Sequence, residues 1–269
     1  KSGRGLEKIP IFDSKAGWAD SVKMLMSNLY DGQNIYFDYS QIRLEGARLR
    51  TMGGRASGPA PLIKLHDFIR ETMHNAQGRK LTTLEAHDIC NQIAEIVVVG
   101  GVRRSSQISL SDINDKEMRH AKEWPFPIKR AMANNSAIFR EKPTAAEFLK
   151  EWAALALSGT GERGIFNLDA AQKKAPSRRY APLIQGTNPC GEIMLRDMEF
   201  CNLSEVVVRA EDDLDSLLDK VETATWLGVI QSSFTYFPYL RESWKKNCDV
   251  EALLGVSLTG QMDNPSVLT

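Results

Sequence analysis

The stretch that decides the fold class is residues 81–110, "LTTLEAHDICNQIAEIVVVGGVRRSSQISL". Its first part has apolar residues at helical spacing, and Thr82 with Glu85 forms the Thr-x-x-Glu pattern of a helix capping box. The glycine pair at 100–101 predicts the end of this helix, and residues 107–110 are predicted to form a short strand. A long helix, a turn and a short strand in succession are typical of an α/β protein.

The same alternation continues outward along the chain. Further helices are predicted at residues 13–32, 62–75, 143–159 and 213–234, short strands at 33–42 and 161–169, and a glycine- and proline-rich loop at 52–61. The helix at 143–159 again starts with a capping box, Thr144 to Glu147, and should end at Gly159. We therefore predict an α/β fold with largely parallel strands. Cys90, within the helix at 81–101, is expected to be a small buried apolar residue.

The composition excludes several classes of function. The 269 residues include 34 basic and 34 acidic side chains, so the chain lacks the basic surplus of a nucleic-acid-binding protein. Apolar runs such as residues 96–99 are too short to span a membrane, and the first ten residues do not form a secretory signal. The four histidines and the four cysteines lack zinc-site spacing; the cysteines are Cys90, Cys190, Cys201 and Cys248. We expect a cytoplasmic protein with free or redox-active thiols, no bound metal, and no nucleic-acid or membrane partner.

A reactive turn is predicted in "GTNPCGEIML", which is centred on Cys190. Pro189 fixes its own φ and Gly191 permits a sharp change of direction, so Cys190 is expected at the tip of a loop. In an extended segment, side chains two residues apart point to the same side. Asn188, Cys190 and Glu192 would therefore bring together an amide, a thiol and a carboxylate base.

Cys201 follows eleven residues later, in "EFCNLSEV". A strand–turn–strand hairpin of that length could bring this second thiol back beside Cys190. Two thiols near one carboxylate suit a reduction in which the cysteines supply electrons and end as a disulfide. The alternative from spacing alone is about equally favoured: Asn-Pro-Cys-Gly is a plain turn and Cys201 fills a core.

Together, "GGVRRSSQISL", "NPCGEI" and "FCNLSEV" resemble the catalytic core of ribonucleotide reductase. With "DSKAGWADSV" and "GGRASGPAPL", they are most similar to the adenosylcobalamin-dependent class II enzymes, in particular the monomeric ribonucleoside-triphosphate reductase branch. The likeness runs from about residue 11 to residue 260. It implies an α/β fold that is part of a ten-stranded α/β barrel with a central finger loop. Residues 1–269 would then be one partial catalytic barrel domain.

The resemblance also implies a role for each residue of the reactive turn. Cys190 would be the thiyl radical that abstracts the 3′ hydrogen of a ribonucleotide, and Glu192 would accept the 3′-hydroxyl proton. Asn188 would hydrogen-bond the ribose hydroxyls, and Cys201 would be one of two thiols that reduce the 2′ carbon as water leaves. Adenosylcobalamin would supply the radical by homolysis of its cobalt–carbon bond. The implied partners are a ribonucleotide substrate, a deoxynucleotide effector and a thioredoxin-like reductant.

Two glycine-rich segments acquire binding roles from the same resemblance. Residues 100–107 resemble the loop that connects the effector with the substrate base, and residues 53–59 resemble the segment near the specificity effector. The residues implied to contact effector or substrate are Gly101, Arg103, Arg104, Ser105 and Ser57. The alternatives are a helix end with a solvated arginine pair and a plain glycine–proline turn.

The chain begins "KSGRGLEKIP" without a methionine and ends "SLTGQMDNPSVLT" without a polar tail, so we expect a central fragment of a longer reductase. The second reducing cysteine would lie before residue 1, and the 269-residue chain alone is expected to be inactive. Other functions stay open: a cysteine-nucleophile amidase or transferase, a regulatory nucleotide-binding module without catalysis, and a reductase that takes its radical from a metal-containing partner subunit. The choice between diphosphate and triphosphate substrates also stays open, although the resemblance favours triphosphates.

Overall fold

The computed structural model describes residues 8–49, 53–99, 102–103 and 105–267. Helices and short strands alternate through this part of the chain, which confirms the predicted α/β class. The chain divides into two compact units, Lys1–Phe139 with Pro143–Phe166, and Arg140–Lys142 with Asn167–Thr269. No helix among the described residues has the length and apolarity needed to cross a membrane.

The first unit combines helices with small sheets. Its helices are α1 (Lys15–Tyr30), α2 (Ala60–Asn75), α3 (Thr83–Ile96), α4 (Lys116–Arg119) and α5 (Ala145–Leu157). Its strands are β1 (Lys8–Pro10), β2 (Tyr36–Asp38), β3 (Val98–Val99), β4 (Val102–Arg103), β5 (Gln107–Asp112), β6 (Ala133–Phe139) and β7 (Gly164–Asn167). β1 pairs with β2 and β5 pairs with β6, both in parallel, while β3 and β4 are antiparallel. β7 completes a three-stranded sheet in the order β5-β6-β7.

The core of the first unit lies where α1, α2 and α3 present apolar faces to one another. Leu25, Leu62, Leu65 and Ile69 are completely buried there, and Ile89 of α3 is 3% exposed. Each such side chain contributes roughly 1.5–3 kcal/mol relative to an exposed one, so this cluster fixes the three helices together.

The start of α3 is as the sequence predicts, but its end is not. Thr82 Oγ1 accepts the N–H of Glu85 at 3.2 Å, and the Glu85 carboxylate accepts the N–H of Thr82 at 2.8 Å, which confirms the capping box. The helix ends at Ile96 rather than at the glycine pair 100–101, which lies outside the described residues. The β-branched valines after Ile96 favour extended backbone, and Val98 and Val99 form β3.

Cys90 is exposed on α3, so the prediction that it is a buried apolar residue is wrong. It shares an outward stripe with Thr83 and Ala86, at the i, i+3 and i+7 positions of the helix. The buried face instead carries polar residues, among them His87 and Asn91, which the apolar pattern alone does not reveal.

The α5 boundaries agree with the sequence at both ends. Thr144 Oγ1 accepts the N–H of Glu147 at 3.3 Å, and the Glu147 carboxylate accepts the N–H of Thr144 at 2.8 Å. Gly159, with φ of +72°, follows the C-terminal Ser158, as expected for a glycine helix stop.

The second unit holds the predicted reactive turn. Its helices are α6 (Leu168–Lys173), α7 (Leu214–Ser232) and α8 (Glu242–Glu251), and its strands are β8 (Ile184–Thr187), β9 (Met194–Arg196), β10 (Asn202–Val207) and β11 (Leu254–Thr259). β8 and β9 form an antiparallel hairpin, and β10 pairs in parallel with β11. α7 packs on this parallel pair around a core of Val206, Val208, Leu217 and Ala224. The strand–helix–strand connection is the one predicted for an α/β fold.

Candidate active site

The Cys190 turn is the loop of the β8–β9 hairpin. The loop is closed by two backbone hydrogen bonds, from the N–H of Asn188 to Ile193 O at 3.1 Å and from the N–H of Gly191 to Asn188 O at 3.0 Å. Gly191 has φ of +94°, a conformation that a residue with a Cβ rarely adopts. Cys190 is exposed at the tip of this turn, which confirms the loop position predicted for it.

Asn188 is the residue that organises the turn. Its Oδ1 accepts the backbone N–H groups of Gly191 at 3.2 Å and Ile193 at 3.0 Å, so the amide nitrogen must point the other way. That nitrogen donates to Oε1 of Glu192 at 2.7 Å. The side chain of Asn188 is buried (8% exposed) while Glu192 is exposed, so the buried amide fixes the orientation of the exposed carboxylate. One N–H of the amide is left over, and it is the group that could reach a ligand.

Cys201 lies just before β10 and is half-buried. Burial is the largest cause that raises the pKa of its thiol, and the negative charges of Glu192 and Glu199 raise that pKa further. The thiol is therefore held protonated at neutral pH. Glu192 therefore acts on two groups of the site. Its charge raises the pKa of Cys201, and its carboxylate accepts the hydrogen bond from Asn188.

The connection between the two cysteines differs from the predicted single hairpin. The chain returns from the Cys190 turn along β9, and a second turn at residues 197–198 follows before Cys201. Met198, in that turn, has φ of +52°, which is uncommon for a residue with a long side chain. The spacing of Cys190 and Cys201 thus depends on two turns rather than one.

A buried charge network that the sequence does not reveal lies beside β9. Glu251, which is 4% exposed, forms ion pairs with Arg179 and Arg196. Arg179 also donates to Met194 O on β9 at 3.0 Å, and Glu199 Oε2 accepts the N–H of Arg196 at 2.8 Å. Burial raises the pKa of Glu199, as does the nearby charge of Glu251. These partners are up to 72 residues apart in the chain, so no local pattern announces them.

The predicted effector residues lie in the first unit, and the structure describes only some of them. Gly101 and Arg104 lie outside the described residues, and Arg103 is described only through its backbone in β4. Ser105 Oγ donates to Ala94 O at 2.9 Å. Ser57 Oγ has a long contact with Gly58 O at 3.4 Å, which leaves the hydroxyl weakly engaged.

A chain of polar side chains ties the segment after Ser105 to α3. Gln107 donates to Asn91 Oδ1, Asn91 pairs with His87 Nε2 at 2.8 Å, and His87 Nδ1 pairs with Ser109 Oγ at 2.7 Å. Burial lowers the pKa of His87, so the ring is neutral in this chain of hydrogen bonds. Within the described residues, no group of three or more His, Cys, Asp or Glu side chains is arranged to hold a metal ion.

Comparison with known proteins gives two matches to protein families. The profile described as "Ribonucleotide reductase, barrel domain" matches residues 102–246, more than half of the chain. The profile described as "B12-dependent ribonucleotide reductase, insertion domain" matches residues 6–73. The two matched segments do not overlap.

Individual proteins agree with these matches. The adenosylcobalamin-dependent ribonucleoside-triphosphate reductase of Lactobacillus gasseri is 31% identical over 280 residues, covering 95% of this chain and 35% of the relative. The protein of the same name from Lactobacillus delbrueckii subsp. bulgaricus is 30% identical over 275 residues, covering 93% and 35%. A crystal structure of a B12-dependent (class II) ribonucleotide reductase superposes with a TM-score of 0.72 at 26% identity, covering 97% of this chain and 38% of that chain. The chain therefore spans about 35% of the length of these curated relatives.

Proposed function

Because the chain belongs to the ribonucleotide reductase family, we propose that the Cys190 hairpin reduces a ribonucleotide to a 2′-deoxyribonucleotide by a thiyl-radical mechanism. The observation that carries this proposal is the hydrogen bond from Asn188 Nδ2 to Glu192 Oε1 at 2.7 Å, next to the exposed thiol of Cys190. It fixes a carboxylate base two residues from an exposed sulfur in the same turn, and hydrogen abstraction beside a hydroxyl needs both groups.

The proposed reaction begins and ends at Cys190. The Cys190 thiyl radical takes the hydrogen atom from C3′ and becomes a thiol, while Glu192 accepts the proton of the 3′ hydroxyl. The 2′ hydroxyl leaves as water after it takes a proton from one of two cysteine thiols, Cys201 or a second cysteine. The other thiol delivers its hydrogen to C2′, the two cysteines together supply two electrons and end as a disulfide, and Glu192 returns its proton to the 3′ oxygen. Cys190 finally returns a hydrogen atom to C3′ and is again the thiyl radical.

The protonated state of Cys201 suits this role. Burial and the charges of Glu192 and Glu199 raise the pKa of its thiol, so the group enters the reaction carrying a proton. A thiolate would supply electrons but could not donate hydrogen. Its half-buried position also limits the access of oxidants to the thiol.

Asn188 has a narrower role in this proposal than the family resemblance alone implies. Its Oδ1 is occupied by the N–H groups of Gly191 and Ile193, so the amide can offer a ribose hydroxyl only its remaining N–H. Its main contribution is then to hold the turn and to aim Glu192.

We propose adenosylcobalamin as the cofactor, since the relatives of this chain are named for it and the insertion-domain profile is that of B12-dependent enzymes. When bound, it supplies an organic radical by homolysis of its cobalt–carbon bond. Cys190 does not line the cavity of about 550 Å³ beside α2 or the cavity of about 500 Å³ beside α7. We therefore assign no residue of this chain to the cofactor.

The partners of this reaction follow from its chemistry and from the names of the relatives. We propose a ribonucleoside triphosphate as the substrate, because the relatives are ribonucleoside-triphosphate reductases. A deoxynucleotide effector near the loop at 100–107 and a thioredoxin-like reductant for the cysteine pair complete the proposal. The cytoplasm, where thiols are kept reduced, is the compartment in which Cys201 can act repeatedly.

The test is Cys190→Ser in the full-length protein with adenosylcobalamin, a dithiol reductant and a ribonucleoside triphosphate. Deoxynucleotide formation should be abolished, while nucleotide affinity should be nearly unchanged, because serine keeps the shape of the turn. Cys90→Ser, at an exposed position of α3, is the matched control and should retain turnover. Turnover by the Cys190→Ser protein would rule out Cys190 as the radical residue.

A further inference from the structure

We propose that one face of α8 is a clamp that sets the position of Cys201 relative to Cys190, with Asn247 and Glu251 as its positioning residues. This inference rests on the proposed function, because it assumes that both thiols act on one substrate. The clamp holds the segment Arg196–Phe200, which joins the end of β9 to the residue before Cys201.

The face is defined by the spacing of its residues along the helix. The α8 residues that contact the segment 196–200 are Ser243, Trp244, Asn247, Cys248 and Glu251. They recur at i, i+1, i+4, i+5 and i+8, which places them on one side of an α-helix. The other side is solvated and carries an exposed ion pair, Lys245 with Asp249. α8 thus directs one whole face to five residues of the chain.

Asn247 holds the strained part of the turn. Its Nδ2 donates to Asp197 O at 2.7 Å and has a longer contact with Met198 O at 3.4 Å. Met198 has φ of +52°, and a non-glycine residue in this unfavourable region needs other contacts to keep it there. Ser243 Oγ also contacts Met198 Sδ at 2.7 Å. Side chains from α8 therefore stabilise the conformation that reverses the chain.

Phe200 is held on the side that leads directly to Cys201. Its backbone N–H donates to Cys248 Sγ at 3.4 Å, and its ring lies 4.5 Å from the ring of Trp244. Cys248 is 7% exposed, so this contact is made inside the unit. Cys201 is the next residue in the chain and cannot move far while both contacts persist.

Glu251 holds the opposite end of the segment, on the side of the Cys190 hairpin. Its carboxylate pairs with Arg196, the last residue of β9, and with Arg179, which also binds Met194 O. All three charged side chains are at least nine-tenths buried. Loss of one partner would leave a buried charge uncompensated, so this end of the clamp is resistant to movement.

The consequence is geometric. The hairpin that carries Cys190 ends at Arg196, and the strand that follows Cys201 begins at Asn202, so α8 fixes the segment between two reactive groups. Misplacement by about 1 Å of a reacting group can slow a reaction about 100-fold. A loosened clamp should leave the radical step at Cys190 intact and impair only the reduction that needs Cys201.

The test uses Asn247→Leu in the full-length protein, since leucine is similar in size and lacks the amide donors. Hydrogen abstraction is followed by tritium release from a 3′-tritiated ribonucleotide, and reduction by the deoxynucleotide formed. We expect the ratio of tritium released to deoxynucleotide formed to rise about tenfold or more, with the KM for the nucleotide unchanged. Asn247→Ala should give the same change, and it serves if the leucine protein does not fold.

Lys246→Ala is the matched control, because Lys246 lies on the exposed side of α8. It should leave the ratio at the wild-type value. If both Asn247 variants also keep the wild-type ratio, or lose both activities in proportion to the unfolded fraction, the clamp does not position Cys201. A wild-type protein that forms no deoxynucleotide would instead overturn the proposed function on which the clamp rests.

Discussion

Asn188 donates a 2.7 Å hydrogen bond to Glu192 across the turn that contains Cys190, and both its amide groups are engaged by this short loop. The amide is buried and the carboxylate is exposed, so the buried amide fixes the direction of the base. The hydrogen bonds that hold this six-residue loop thus come from residues of the loop itself.

Asn188→Asp should separate these two functions of the amide. Aspartate can still accept the N–H groups of Gly191 and Ile193, but it cannot donate to Glu192 and places a second negative charge beside it. Loss of one hydrogen bond to a charged group, worth about 1.5–3 kcal/mol, predicts a kcat for deoxynucleotide formation lower by roughly 10- to 100-fold.

Thr187→Val is the control for that substitution. Thr187 Oγ1 donates to Asn188 Oδ1 at 3.2 Å, and valine keeps its shape without the hydroxyl. The orientation of Glu192 should survive, because two backbone N–H groups still hold the amide. A kcat that is equally low in both variants would mean that the turn as a whole, rather than the bond to Glu192, limits the rate.

Glu192→Gln should make Cys201 more reactive towards alkylation. The negative charge of Glu192 is one of the causes that raise the pKa of this thiol, so its removal lowers that pKa and increases the thiolate fraction at a given pH. Iodoacetamide labelling at pH 8, quantified on the peptide that contains Cys201, should be faster than in the wild type. Glu205→Gln, at an exposed position of β10, should not change the rate.

His66 should make the first unit less stable in mild acid. The ring is completely buried, and its burial lowers the pKa to about 4. Ser21 Oγ donates to Trp18 O, so His66 Nε2 donates to Ser21 and Nδ1 accepts from Tyr39. In the native state the His66 ring therefore stays neutral, whereas in the unfolded chain it becomes protonated near pH 6.5.

The direction in which the stability changes with pH follows from these two pKa values. The contribution of the neutral ring is complete above pH 6.5 and is lost as the pH falls towards 4, by about 3 kcal/mol in total. Urea unfolding at pH 7 and pH 5 should show about 2 kcal/mol of this fall in the wild type, and His66→Leu should reduce the difference. His74→Gln, on the exposed side of the same helix, should leave the difference unchanged.

Thr82→Ala should destabilise the start of α3. The substitution removes the oxygen that accepts the N–H of Glu85 and should lower the free energy of unfolding by about 1 kcal/mol. Thr83→Ala, one residue later and exposed, is the matched control and should have little effect. Equal losses in the two variants would mean that the hydroxyl of Thr82 does not cap the helix.

Features set by neighbouring residues could be predicted from the sequence. Both capping boxes, the glycine stop at Gly159 and the exposed turn at Cys190 depend on residues within five positions of one another, and all were confirmed. The predicted end of α3 was wrong because the three valines before the glycine pair favour strand pairing over helix. The predicted burial of Cys90 was wrong because its exposure depends on which helices pack against α3.

The supports of the candidate site could not be predicted in the same way. Asn247, Glu251 and Arg179 are ordinary polar residues in the sequence, and their partners are 15 to 72 residues away. A charge that becomes 4% exposed gives no local signal of burial before the fold is known. The roles of Cys190, Glu192, Asn188 and Cys201 stay predictions that rest on the family and on the geometry of the turn.

The distance along the chain between Cys201 and its supports also sets an order of events during synthesis. Asn247 binds the turn at Asp197 from 50 residues downstream, and β10 pairs in parallel with β11, which also lies downstream. A ribosome adding ~5–20 residues per second needs roughly 3–10 s to supply that stretch. During this interval Cys190 and Cys201 are present in the nascent chain without a fixed spacing, so the redox state of the surroundings, rather than the fold, decides whether they remain thiols.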